Sequence, residues 1–366
     1  MNKQALNSTT SSRPSPESRR RAVLATIIEE HLLSREPVGS HAVADQFAHA
    51  SGWSSATIRN VMAELDDFGL LEQPHTSAGR IPTDRGYRYY VDNVVSDTRL
   101  SKSDLKAIQQ IGVTEVTMRP DRLMERASHV LSELSQNVGI VVWPSLAENS
   151  LQHVSFLNLP DSRILVALVS TSNIVQDKVI RLDERFSQDE LNTIARYLNA
   201  EFHGKSLRLI RREILARMKE DRALYDRLLR NAVLLCERSL DDEDSAAGEV
   251  YIEGAFNILT QPEFANRERL REVLQTLEEK KRLVKILTEC LDGDRREVRV
   301  VIGGENAVAS MKRCAVITAS YQLEGEVSGT IGVVGPTRIE YGRTMAVVNY
   351  LARFIERALS NEASLH

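Results

Sequence analysis

Hydrophobic side chains recur at three- and four-residue steps between positions 54 and 69, a spacing that places them on one stripe of an α-helix. Ser54 or Ser55 can accept a hydrogen bond from the free N–H groups of the first turn, and Gly69 is suited to end the helix. The pattern therefore predicts an amphipathic helix with a start and a stop signal, whose apolar stripe consists of Ile58, Val61, Met62, Leu65 and Phe68.

The opposite face of this helix carries small and amide-bearing side chains instead of the alternating Lys and Glu of an ordinary surface helix. Its members are Ala56, Thr57, Arg59, Asn60 and Ala63. Such a face suits the major groove of DNA, where Arg pairs with guanine, Asn pairs with adenine, and an Ala or Thr methyl touches the methyl of thymine. On the helix alone, a solvated helix of any α+β protein is an equal alternative.

The segments around this helix predict a winged helix-turn-helix domain over residues 17–99. Two amphipathic helices precede it, within residues 17–33 and from Ser40 to Phe47, and a short strand at 70–73 is followed by a turn-rich loop and a second short strand. The helix that begins near Ser54 would then read the groove, and the loop, or wing, carries Arg80. Residues 1–16 are rich in Ser, Thr, Asn and Pro and predict a disordered tail.

The charge of the chain counts against binding to nucleic acid. The net charge is −4, and residues 1–99 carry 11 Lys and Arg against 12 Asp and Glu, whereas phosphate contacts normally rest on a basic excess. A DNA surface must then come from the local placement of a few arginines, namely Arg59, Arg80, Arg85 and Arg88. The last two lie on a predicted helix over residues 84–95, where exposure to solvent or pairing with Asp84 and Asp92 is favoured over a contact with DNA.

Strands and helices alternate in blocks over the rest of the chain, which predicts an α+β domain interrupted by an insertion. Strand patterns at 139–142, 154–159, 163–169 and 174–182 assign residues 100–185 to the first part of this domain. Further strand patterns at 298–302, 314–321 and 327–334 assign residues 293–366 to its second part. Residues 186–292 predict a mainly helical insertion, with a capping box at Ser187–Glu190 and a long charged helix over Ser206–Leu240. Its apolar stripes slightly favour self-association over packing within the chain.

The 366-residue chain shows no pattern typical of an enzyme or a metal site. The eight His residues are scattered, and the three Cys residues lack the spacing of a disulfide framework or a zinc site. The two glycines within residues 302–306 lack the lysine and the spacing of a phosphate-binding loop, which favours a tight strand-to-helix turn. We therefore expect no catalytic residue and no cofactor. Because no run of about 18 apolar residues occurs, we expect a cytoplasmic protein without a membrane span.

The run SSATIRNVMAELDDFGLLEQPHTSAGRIPTDRGYRYYVD, from Ser54 to Asp92, resembles the signature of the HrcA-type heat-inducible transcription repressors of bacteria. The resemblance continues in further blocks in the right order, which are Glu253-Gly254, Asn257-Ile258-Leu259, Pro262-Glu263-Phe264, Ile302 to Asn306, and Gly329 to Arg338 with Tyr341 and Arg343. Together these blocks cover residues 17 to about 360 and leave out residues 1–16. Several separate blocks are far more specific than any single one.

The resemblance implies a dimeric repressor with a winged helix-turn-helix domain and a GAF-like domain, into which a dimerisation domain is inserted. It implies an inverted-repeat operator called CIRCE, upstream of chaperonin and chaperone genes, and a chaperonin partner that assists the active fold of the repressor. The residues expected to bind DNA are Ser54, Ser55, Ala56, Thr57, Arg59, Asn60 and Arg80. Two rival interpretations remain, a winged-helix regulator whose GAF-like domain senses a metabolite and a scaffold that binds protein partners.

Overall fold

The computed structural model is an α+β structure whose elements fall into three units. It describes residues 15–48, 52–75, 78–95, 98–111, 120–143, 150–171, 175–182, 185–206, 209–210, 212–213, 249–289, 298–323 and 327–363. Of the disordered tail expected at 1–16, residues 1–14 lie outside the described residues. The first helix begins at Pro16.

The N-terminal unit, residues 15–95, has the order of elements that the sequence predicted for this region. Three helices are followed by two short antiparallel strands and a fourth helix: α1 (Pro16–Ser34), α2 (Ser40–Phe47), α3 (Ser55–Asp67), β1 (Leu71–Glu72), β2 (Ile81–Pro82) and α4 (Asp84–Asn93). The buried faces of these helices form one hydrophobic cluster, to which α1 contributes Val23, Leu24, Ile27 and Ile28. The hydrophobic stripes thus bury the faces that local periodicity predicted.

The hairpin formed by β1 and β2 is tied to the segment after α1. Val38 and Arg80 exchange both backbone hydrogen bonds, each 2.9 Å long, so a third short stretch of chain pairs beside the hairpin. A Cβ atom at Gly79 would overlap the Val38 carbonyl, and this close approach explains why glycine precedes Arg80. The hairpin is therefore anchored at its base to the helical part of the unit.

A five-stranded antiparallel sheet forms the centre of the second unit, which comprises residues 98–143 and 249–363. Its strands lie in the order β7-β3-β10-β9-β8. Their bounds are β3 (Val138–Val142), β7 (Val250–Glu253), β8 (Arg299–Ile302), β9 (Cys314–Leu323) and β10 (Val327–Pro336). The predicted strand patterns at 298–302, 314–321 and 327–334 are confirmed as β8, β9 and β10.

Helices cover both faces of this five-stranded sheet, so the strands are apolar on both sides. These helices are α5 (Lys102–Gln110), α6 (Pro120–Ser135), α8 (Ala255–Leu259), α9 (Arg267–Glu278), α10 (Lys280–Glu289) and α11 (Tyr341–Ala363). Adjacent residues of β3 point to opposite faces. Val141 accordingly packs in the cluster that contains α6 and α11, whereas Ile140 packs in the cluster that contains α8, α9 and α10.

The third unit, residues 150–213 where described, contains a separate three-stranded sheet with a helix packed on one face. The strands β4 (Leu151–Leu159), β5 (Arg163–Ser170) and β6 (Val175–Arg181) form an antiparallel meander, and α7 (Gln188–Phe202) packs on one face of it. The capping box predicted at the start of this helix is confirmed, because Ser187 and Glu190 each accept from the other residue's backbone N–H.

The structure divides the chain at different places from those predicted. A boundary between residues 185 and 186 would separate the β4–β6 sheet from α7, although their side chains share one hydrophobic core. At the other end, β7 pairs with β3, and α9 and α10 pack on the five-stranded sheet, so residues 249–289 belong to the second unit and not to an insertion ending at 292. The described part of the insertion consists mainly of the β4–β6 sheet and α7. The predicted helix over Ser206–Leu240 lies mostly outside the described residues, although residues 209–210 and 212–213 are described and helical.

Candidate nucleic-acid interface

The ends of α3 are set by local hydrogen bonds. At its start, the Ser54 hydroxyl accepts from the Thr57 backbone N–H at 3.2 Å, so Ser54 is the N-cap residue. At its end, Gly69 adopts a positive φ of 68° and its N–H donates to the Asp66 carbonyl, while the N–H of Leu70 donates to the Leu65 carbonyl. This pair of bonds is a Schellman motif, which needs a left-handed residue and so favours glycine.

The apolar stripe of α3 is buried as predicted except at its last member. The fully or nearly fully buried side chains are Ile58, Val61, Met62 and Leu65. Phe68, expected on the same stripe, is 53% exposed, because it is the C-cap residue and the chain turns away at Gly69. Its ring instead lies under the Arg20 guanidinium, 5.3 Å from the ring centroid.

The outer face of α3 is open to solvent where it was expected to read DNA. Ala56, Arg59, Asn60 and Ala63 are exposed, and Thr57 is half-buried. Within the described residues Arg59 forms no ion pair, so its guanidinium is available to an outside acceptor. The first two turns therefore present one arginine, one amide and small side chains without any acidic residue.

Two of the three acidic side chains on the second half of α3 pair with arginines from other elements. Arg20 on α1 pairs with Glu64 at 3.2 Å, and Arg80 beside the hairpin pairs with Asp66 at 3.1 Å. Both contacts join positions far apart in the chain, so no local pattern could have shown them. They reduce the repulsion that these two carboxylates would exert on a phosphate backbone.

The hydroxyl groups at the start of α3 bond to one another. The Ser54 and Thr57 hydroxyls lie 3.0 Å apart, and the Ser55 hydroxyl lies 3.1 Å from that of Ser40, the first residue of α2. The second bond places the starts of α2 and α3 side by side. A hydroxyl both donates and accepts, so these bonds do not exhaust the capacity of the serines for a further partner.

Arg80 is less accessible than a free wing arginine. Its side chain is 22% exposed, it pairs with Asp66, and its Nε is buried without a partner in the described part of the chain. The structure therefore brings Arg80 to the C-terminal half of α3, while the other candidate residues gather at the N-terminal half.

Arg85 and Arg88 on α4 differ in their surroundings. Arg85 is exposed, whereas Arg88 pairs with Asp92 at 3.3 Å, as the sequence favoured, and also with Glu305 through an Nε to Oε1 bond of 2.8 Å. These contacts raise the pKa of Arg88, chiefly through the hydrogen bond to Glu305. The partner at position 305 was missed by the sequence reasoning, because it lies on a different unit.

The described residues contain no group of three or more His, Cys, Asp or Glu side chains arranged to hold a metal ion. Cys314 is buried and free, and burial raises the pKa of its thiol to about 12; Cys236 and Cys290 lie outside the described residues. Among the helices of the described part, none combines the length and apolarity needed to cross a membrane.

Comparisons with known proteins bear on the whole chain. The family model for the HrcA protein C-terminal domain matches residues 121–345. A heat-inducible transcription repressor HrcA from Geobacter sulfurreducens is 38% identical over 344 residues, which cover 94% of this chain and 98% of that protein. The chain belongs to the HrcA family. An HrcA repressor from Ruminiclostridium cellulolyticum is 37% identical over 347 residues, covering 94% of this chain and 97% of its own length.

The fold is also shared with a solved structure. A crystal structure described as that of a hypothetical protein aligns with a TM-score of 0.62 over 94% of this chain and 98% of its own. At 23% sequence identity this similarity supports the arrangement of elements only. The resemblance seen in the sequence blocks is thus confirmed at the level of the family.

Proposed function

We propose that this HrcA-family chain is a transcription repressor that binds duplex DNA through α3. The observation that carries the proposal is the split character of α3, with a buried stripe on one side and an exposed face bearing Ala56, Arg59 and Asn60 on the other. A hairpin follows α3 directly, so we take the N-terminal unit as a winged helix-turn-helix domain. Its relatives are named heat-inducible transcription repressors, which supports the same role.

Within this proposal the side chains of α3 divide between base edges and backbone. Arg59 pairs with a guanine and Asn60 with an adenine, while Ala56 and Thr57 make methyl or edge contacts. Ser54 and Ser55, at the start of the helix, hydrogen-bond a phosphate. Hydroxyl and backbone N–H donors at a helix N-terminus are suited to that contact.

Arg80 is proposed as a phosphate contact from the wing. Because its side chain is engaged by Asp66, a phosphate would have to share or replace that ion pair. We therefore expect a smaller contribution from Arg80 than from a free arginine.

The proposed repressor acts as a homodimer formed through the third unit. On the face of the β4–β6 sheet away from α7, Leu157, Leu165 and Val179 lie in register across the three strands. Leu157 is 52% exposed and Val179 is 51% exposed, while α7 covers the opposite face. An apolar row on an open sheet face is typical of a protein contact surface, whereas scattered single residues would not be.

A two-fold dimer presents two identical reading helices, so its target is an inverted repeat with half-sites on one side of the duplex. Membership of the HrcA family supports the CIRCE operator of chaperonin and chaperone genes as that target. It also supports negative regulation of heat-shock transcription in the cytoplasm, and a chaperonin that assists the active fold. The five-stranded unit would be the GAF-like domain of this repressor.

The decisive experiment is a fluorescence-anisotropy titration of the full-length protein on a CIRCE-type inverted repeat and on a scrambled duplex. The titrations are repeated at several salt concentrations. We expect preference for the inverted repeat at every concentration, with affinity falling as salt displaces phosphate contacts by a slope of about −0.9 for each phosphate neutralised. Equal affinity for both duplexes throughout would refute sequence-specific binding.

The dimer has a separate test in analytical ultracentrifugation. The double variant Leu157→Lys with Val179→Lys places like charges on the proposed contact face and should sediment as a monomer. Leu33→Lys is the matched control, because Leu33 is an 81% exposed leucine on α1, away from this sheet. A double variant that remains dimeric would exclude this face as the contact.

A further inference from the structure

A polar contact joins α4 of the N-terminal unit to the turn after β8 in the five-stranded unit. The Asp84 carboxylate accepts from the Gly304 N–H at 2.9 Å, and the Arg88 Nε donates to Glu305 at 2.8 Å. Arg88 also donates to the carbonyl of Val300 in β8, which is an edge strand of the sheet. We call these four residues, Asp84, Arg88, Gly304 and Glu305, the α4 clasp.

The turn that holds the clasp is shaped for this close approach. Gly303 has a positive φ of 53°, and a Cβ atom on it would overlap the Asp84 carboxylate. The Glu305 carboxylate also accepts from the Ile302 N–H at 2.9 Å, which fixes the turn from inside. The backbone N–H of Gly304 in this turn therefore binds an anionic group, which is the Asp84 carboxylate of the same chain.

Buried contacts lie behind the clasp. The rings of Tyr87 on α4 and Tyr341 at the start of α11 are 5.7 Å apart, and both residues are almost fully buried. On a second side, Arg338 donates to Glu263 at 2.6 Å and reaches the Leu32 carbonyl of α1 at 3.4 Å. The two units thus meet through an apolar centre with polar contacts at its edges, as protein interfaces do.

The helix α4 is in turn joined closely to the reading helix. The Thr83 hydroxyl caps α4 and donates to the Gly69 carbonyl at 2.7 Å, directly after α3. Gly86 lies against the Leu70 carbonyl with no space for a side chain. A displacement of α4 would therefore carry α3 with it, because backbone packs on backbone between them.

We propose that the α4 clasp fixes the direction in which α3 projects from the five-stranded unit, and thereby selects the half-site spacing that the dimer accepts. Arg88 is a positioning residue in this inference and contacts no base. The inference rests on the proposed function, since it needs a dimer that reads an inverted repeat. Two readers held at a fixed separation gain avidity only when both half-sites can be engaged together.

The test compares the full-length parent with Arg88→Met and Glu305→Gln. Both variants remove the ion pair of the clasp at similar side-chain volume. The control is Glu125→Gln, which removes the exposed Arg122–Glu125 pair of 3.0 Å on α6, away from the clasp. Anisotropy titrations use duplexes with two CIRCE-type half-sites whose separation is changed one base pair at a time over a helical turn, and a duplex with one half-site.

We expect the parent and the Glu125→Gln control to lose about tenfold or more in affinity when the half-sites are moved by half a turn, since only one reader then binds. The clasp variants should show a spacing preference reduced to about threefold or less. Their affinity for a single half-site should equal that of the parent, because base contacts are untouched. A simple loss of folding would lower the single half-site affinity as well.

Each other result refutes either the inference or the proposed function, and the two are distinguishable. A parent that fails to prefer the inverted repeat over a scrambled duplex contradicts the proposed function. A parent that binds the repeat without any spacing preference, or clasp variants that keep the spacing profile of the parent, overturns the role of the clasp. Loss of single half-site affinity in both variants would make the clasp a purely structural contact and would also overturn it.

Discussion

Arg59→Ala is the most direct test of the proposed DNA-binding face of α3, because we expect it to weaken DNA binding at little cost to the stability of the fold. Arg59 is exposed and forms no ion pair within the described residues. Alanine has the highest helix propensity, and surface substitutions of this kind change the free energy of unfolding by only about 0.5 kcal/mol or less. Any large loss of affinity would then report a lost contact with DNA.

The size of that loss follows from the chemistry and the symmetry. An arginine that pairs with both acceptors of a guanine contributes about 1–3 kcal/mol, or roughly 5- to 150-fold in affinity for one half-site. A dimer loses two such contacts at well-separated positions, whose effects add. On an inverted repeat we therefore expect a loss of about 2–6 kcal/mol, so at least about 30-fold.

The assay is the anisotropy titration with a panel of single base-pair changes in each half-site. The variant should lose discrimination at one base pair and keep it at the others. Arg122→Ala, on an exposed arginine of α6 outside the N-terminal unit, is the control and should bind like the parent. Equal operator affinity of Arg59→Ala and the parent would refute the assignment of Arg59 to a base edge.

Three further predictions concern the edges of the site. Arg80→Ala should weaken specific and scrambled duplexes alike and reduce the salt slope by about one, and an unchanged slope would show that its guanidinium stays with Asp66. Ser54→Ala removes the N-cap of α3 and should cost about 1 kcal/mol in urea unfolding followed by circular dichroism, whereas Ser54→Thr, which keeps a capping hydroxyl, should cost less. Burial alone would raise the pKa of Glu305, yet hydrogen bonds from Arg88 and a backbone N–H lower it, so its contribution to the free energy of unfolding should be present at neutral pH and be lost on acidification through the range in which Glu305 becomes protonated. In Arg88→Met the loss of stability on acidification should be smaller than in the parent, because the charged form of Glu305 is then less stabilised in the folded state, and an unchanged pH profile would contradict the pairing.

The α3 helix could be predicted from the sequence because its determinants are local. The stripe of Ile58, Val61 and Leu65 follows the helical period, and the start and stop residues lie within one turn of the ends. The exposed position of Arg59 and Asn60 follows from the same period. Phe68 was misplaced because the period does not tell where the last turn ends and the chain reverses.

The membership of strands in sheets could not be predicted in the same way. A run such as Val154–Leu159 shows a strand, but an alternating or apolar run is equally compatible with pairing in either sheet. Only the three-dimensional structure shows that the β4–β6 meander is separate from the five-stranded sheet and that β7 pairs with β3. The predicted domain boundaries at 185 and 292 fail for this reason.

Local sequence thus determined the ends and the two faces of α3, and separate blocks along the chain carried the resemblance to the HrcA family. The tertiary structure decided which charges are free and which are engaged: Arg59 faces solvent, Arg80 meets Asp66, and Arg88 meets Glu305, 217 positions away. The physical reason is the separation along the chain over which each interaction acts. Helix periodicity and capping act over a few residues, whereas an ion pair forms wherever the packing of whole units brings two side chains within about 4 Å.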